Sequence, residues 1–122
     1  MEIARGAASR PLDQAGVVDA GLCHGAAGLG QLFNRMYQAT ADETLGRAAR
    51  FWFERTLAMR QPGRGVGGFS ALSAKEDGTR YWDDDPGILS GAAGIALALL
   101  AATTSIEPEW DRMLLISTRH RR

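Results

Sequence analysis

A second cysteine is missing from this sequence, and with it any internal disulfide. One thiol, and no charged-then-apolar segment at the start, point to a reducing, cytoplasmic setting. Net charge is missing too. Fourteen basic residues balance fourteen acidic ones, so nothing electrostatic draws the chain to nucleic acid or an anionic membrane. No apolar run reaches the roughly 20 residues of a transmembrane segment. The longest, 87–102, carries three glycines and a serine and reads as a buried helix.

What remains is a chain of 122 residues, enough for one small domain or one piece of a larger fold. Its fifteen glycines gather at element starts and in one central loop, as punctuation rather than disorder. Residues 1–20 show no sustained periodicity and are expected to form an irregular entry, with Asp19 placed to cap the segment after it. From 25 to 39, Ala26, Leu29, Leu32, Phe33, Met36 and Tyr37 recur at three- and four-residue steps and predict a first helix. Thr40 or Asp42 then caps a second, amphipathic helix to about Met59. Its apolar side carries Leu45, Ala48, Ala49, Trp52, Thr56 and Leu57; Arg47, Arg50, Glu54 and Arg55 lie opposite. Phe51, Trp52 and Phe53 read as packing between helix layers.

Pro62 and the glycines of 61–68 break that helix, and Asp77-Gly78 marks a turn, with short strands or none around it. The glycines resemble a phosphate loop only superficially, because no strand precedes them and no Lys-Ser or Lys-Thr pair comes after. Asp83-Asp84-Asp85-Pro86 is expected to open a third helix running to about Ala102, its carboxylates at the positive helix end. The same aspartates have two rival readings, a divalent-cation cluster and the acid/base groups of a glycoside-hydrolase-like toroid. A last short helix, 109–116, turns Trp110, Met113 and Leu114 to one face. Residues 118–122, with His120, read as a solvated basic tail.

The densest chemistry lies in Gly21-Leu22-Cys23-His24-Gly25-Ala26-Ala27-Gly28. A thiol and an imidazole stand side by side there, and both are zinc ligands. On the residues alone, the pair reads either as a metal site or as packing and capping. The glycine and alanine frame returns in Gly87-Ile88-Leu89-Ser90-Gly91-Ala92-Ala93-Gly94, with Leu89 and Ser90 where Cys23 and His24 stood. Recurrence of this kind indicates repeat architecture. An apolar inner helix and a half-wet outer helix in each copy predict an all-α fold, a fragment of an α/α toroid with about two inner/outer helix pairs and a long loop between them. Two pairs cannot close a ring. An apolar edge should therefore be exposed, available to a second copy in a homo-oligomer.

At these residues the sequence resembles the lanthionine synthetase C-like family, the lanthipeptide cyclases. The resemblance rests on Leu22-Cys23-His24-Gly25-Ala26-Ala27-Gly28, on 85–100, and on Trp110-Asp111-Arg112-Met113-Leu114-Leu115, so that 21–117 corresponds to the C-terminal part of the family domain. It implies a zinc cofactor, Zn2+, with Cys23 and His24 as two of three protein ligands. The implied reaction adds a peptide cysteine thiolate to dehydroalanine or dehydrobutyrine in a dehydrated lanthipeptide precursor, giving a thioether ring. The family's third ligand is a cysteine from an earlier repeat, and its acid/base histidine and aspartate also lie upstream, so no catalytic residue carries over and the chain alone is expected to be inactive. Implied partners are the precursor peptide and an upstream part of the cyclase or a dehydratase. The rival from another class is a non-catalytic helical module that binds a peptide or a partner subunit.

Overall fold

A computed structural model describes residues 1–118; the tail beyond, with His120, lies outside the described residues. Helices dominate. In chain order they are α1 (Glu2–Ala8), α2 (Ala26–Thr40), α3 (Glu43–Ala58) and α4 (Ala92–Thr103), with 3-10 turns at Leu12–Gln14 and Glu109–Leu114. A hairpin of β1 (Ala71–Ala74) and β2 (Arg80–Asp83) separates α3 from α4. No helix among the described residues is long and apolar enough to cross a membrane.

The α2–α3 pair forms where apolar spacing predicts it. Only Ala41 and Asp42 join the two, and the Asp42 carboxylate accepts a hydrogen bond from Thr44 N–H at 2.9 Å. Such an N-cap contributes about 1 kcal/mol. Ala26, Phe33, Leu45, Ala48, Ala49 and Trp52 make the core between the helices. Each large side chain buried there is worth roughly 1.5–3 kcal/mol. A second cluster, Ala20, Leu22, Ala27, Ile95 and Ala98, joins α2 to α4. Thus α2 sits between α3 and α4.

Several expectations change. The N-terminal stretch is not irregular throughout, because Glu2–Ala8 is helical and sets Ala4 and Ala8 against the α2–α3 core. Arg5 Nε lies 2.6 Å from Asp42 Oδ2, which ties α1 to the start of α3. That guanidinium holds the Asp42 carboxyl below its ordinary value. Two turns are too short to register as periodicity. Asp83, Asp84 and Asp85 do not cap α4, which begins only at Ala92; Asp83 closes β2 instead. Nor is 87–102 buried all round. Leu100 is 52% exposed, and Ala93 and Ala96 are exposed with it. Leu57 and Phe51 are exposed as well, one position off the stripe that ends in Trp52 and Thr56. The hairpin pairs Ala71 with Asp83 and Ala74 with Arg80, and its turn falls at Asp77-Gly78, where Gly78 takes φ +84°.

The last element is a 3-10 turn rather than an α-helix, and Met113 is 71% exposed. Its inward residue is Asp111, fully buried, with Oδ2 2.9 Å from Arg35 Nε and accepting from Gln31 Nε2 at 2.9 Å. Arg35, also buried, pairs with Glu107 too. Breaking one partner out of a buried pair typically costs about 3–5 kcal/mol. A charged pair between α2 and the C-terminal turn therefore anchors that turn.

Candidate functional site

The start of α2 explains why the Cys-His segment needs its glycines. The first backbone N–H groups of a helix have no partner within the helix. Here Ala26, Ala27 and Gly28 donate to the carbonyls of Asp19, Ala20 and Gly21 at 2.9, 3.2 and 3.3 Å. The chain must cross the helix end closely to offer them. A Cβ on Gly28 would stand 2.0 Å from Leu22 O, which excludes any other residue without a backbone shift. With its donors satisfied by the protein itself, this helix end is not an anion site.

Position for position, the second copy does the same. Ala92, Ala93 and Gly94 donate to Asp85, Pro86 and Gly87 at 2.9, 3.2 and 3.4 Å, and a Cβ on Gly94 would lie 1.8 Å from Ile88 O. The two loops also touch, because Cys23 N–H donates to Leu89 O at 2.8 Å. Equivalent residues of the two copies thus meet at one end of α2 and α4.

Cys23 and His24 project from this junction. Cys23 is a free, exposed thiol, and the His24 side chain is 49% exposed. Both line a groove of about 470 Å3 whose apolar walls include Leu22, Leu29, Leu32, Leu89, Leu114 and Ile116. Leu32, predicted to face the core, serves the groove instead and is 37% exposed. Behind the imidazole stands Asp19, only 2% exposed, with Oδ1 3.3 Å from His24 Nδ1. Its Oδ2 accepts from Leu72 N–H of β1 at 3.2 Å, so the hairpin helps hold it.

Such a carboxylate behind a histidine is the usual second partner of a metal-ligating imidazole. The donor set therefore fits zinc in kind: one thiol, one imidazole whose far nitrogen makes no hydrogen bond among the described residues, and a buried carboxylate behind it. It falls short in number. Among the described residues no group of three His, Cys, Asp or Glu side chains is placed to hold a metal, whereas catalytic zinc commonly has three protein ligands. Asp83, Asp84 and Asp85 stay apart from this groove. Asp85 Oδ1 accepts from Gly87 N–H at 2.6 Å, closing its own turn.

Asp19 is the residue that sequence reasoning missed in this role. It was visible as an N-terminal cap, and its carbonyl does receive the first helix N–H. Extending the alignment of the two copies upstream pairs Asp19 with Asp85, which was the available signal.

A family model described as Lanthionine synthetase C-like protein matches residues 2–115. Comparison with curated proteins gives no match. The match spans nearly the whole chain, from α1 through both glycine-framed loops to the anchored C-terminal turn, and the chain belongs to the lanthionine synthetase C-like family.

Proposed function

We propose that the chain is the C-terminal part of a zinc-dependent lanthipeptide cyclase, with Cys23 and His24 as two of the metal's protein ligands. One observation carries this reading: in a member of this family, a thiol and a carboxylate-backed imidazole stand together at the edge of an apolar groove. Zinc, when bound, supplies a lower pKa to a coordinated peptide thiol and so favours the thiolate that attacks a dehydrated residue. Cys23 and His24 supply the ligand atoms. Asp19 holds the imidazole, and the leucines of the groove give the peptide an apolar, water-poor bed. Among the described residues none beside the pair is placed to return a proton to the product, which is why turnover is expected to need a further part of the cyclase.

The test uses the purified chain, zinc and a dehydrated precursor that retains its cysteines. Zinc-dependent retention of the peptide, lost in Cys23→Ala and His24→Ala, is expected. Thioether formation should stay at the level of Cys23→Ala, and turnover above it would overturn the incompleteness. Retention that ignores zinc and both substitutions would favour a non-catalytic peptide-binding module, the reading that the exposed apolar groove also suits.

A further inference from the structure

We infer that Asp19 is the positioning residue of this site: its buried carboxylate holds His24 as the Nδ1–H tautomer and leaves the Nε2 lone pair as the metal-binding atom. The metal half rests on the zinc reading above; the tautomer does not.

Hydrogen-bond satisfaction decides the tautomer. A buried carboxylate oxygen needs a donor, and leaving it without one is strongly unfavourable. Oδ2 has Leu72 N–H. Oδ1 is buried and has no hydrogen-bond partner among the described residues, and His24 Nδ1 stands 3.3 Å from it. A neutral imidazole carries one N–H and one lone pair. With the lone pair at Nδ1, two electron-rich atoms would oppose each other in a buried place. With the proton there, Oδ1 faces the donor it otherwise lacks, and the remaining lone pair belongs to Nε2.

Two further observations support the assignment. Gly25 makes the space, because a Cβ there would lie 2.5 Å from Asp19 Oδ1. The second copy shows what the same aspartate does without a histidine: Asp85, five residues before Ser90, uses its Oδ1 to accept from Gly87 N–H. Asp19 has an equivalent glycine at Gly21 and leaves it, turning to His24 and Leu72 instead. Both of its neighbours are donors. An asparagine has one acceptor oxygen and must set its NH2 against one of them.

The test is 15N long-range NMR of the metal-free full chain, wild type and Asp19→Asn. Wild-type His24 should be Nδ1–H, and Asp19→Asn should move it toward the Nε2–H form. Wild-type His24 as Nε2–H, or a tautomer unmoved by Asp19→Asn, overturns the proposal. Should Asp19→Asn fail to fold, the wild-type tautomer still decides. Zinc titration followed at His24 should then perturb Nε2, with a midpoint about 10- to 100-fold higher in Asp19→Asn. Coordination through Nδ1 overturns the metal half. If zinc leaves the wild-type spectrum unchanged, the zinc reading falls and the hold of Asp19 on the imidazole stands on its tautomer.

Discussion

The loop before α2 and the loop before α4 share a backbone and divide the work. Both cross a helix start, both give three carbonyls to its first N–H groups, and both contain a glycine that admits no Cβ. One then carries Cys23 and His24, and the other carries Leu89 and Ser90. The aspartate that heads each loop differs in the same way: Asp85 closes its own turn, while Asp19 faces a histidine. Architecture in these loops is set by main-chain contacts and glycines, so the side chains between them are free to differ. The inert copy is still useful, because its Leu89 carbonyl holds the Cys23 amide.

The largest expected effect tests the shared backbone. Gly28→Ala and Gly94→Ala should each lower stability by about 3 kcal/mol in urea unfolding, since overpacking against backbone cannot be relieved by a rotamer change. A silent Gly94→Ala would break the equivalence. Next, Leu89→Cys under reducing conditions adds a thiol to the groove that Cys23 and His24 line. Zinc affinity, read by chelator competition, should rise at least about tenfold, or about 1.4 kcal/mol, as the donor set reaches three. No gain would mean that the loops do not converge on one metal position. Asp85→Ala removes one hydrogen bond and should cost about 1 kcal/mol, with zinc binding unchanged.

The smallest effect serves as a control away from both loops. Arg5→Ala should let the Asp42 pKa rise toward its ordinary range, followed by carboxylate NMR. Because the folded pKa is depressed, this pair stabilises above the unfolded value and is lost as pH falls through the folded one. Arg5→Ala should flatten that acid-side dependence and leave the spectra of both loops alone.

How much of this the sequence discloses depends on the range of the interaction. The α2–α3 pair is legible because Leu45, Ala48, Ala49 and Trp52 repeat at helical steps, and Asp42 is a local cap. The start of α4 is misread because Asp85-Pro86 resembles a helix opening, whereas those residues lend their carbonyls to a helix that begins at Ala92. Phe51 and Leu57 fall out of the core because spacing alone does not fix where a stripe ends. Asp111 lies outside the face that Trp110, Met113 and Leu114 suggest; its partner Arg35 lies on another element, and no local pattern announces the pair. Cys23 and His24 are legible as adjacent donors. Asp19 is not, because its claim on His24 arises from a chain crossing and from a hairpin amide far away in sequence.

The buried Arg35–Asp111 pair has a bearing on the shape of the groove. Leu114 and Ile116, which form part of its wall, come soon after Asp111 in the chain, while the donor pair stands at the head of the helix that carries Arg35. Wall and donors therefore hang from one rod. A change at Asp111 would alter the width of the opening while leaving Cys23 and His24 where they are, so the wall of the groove and its donor pair can be inherited, and lost, separately.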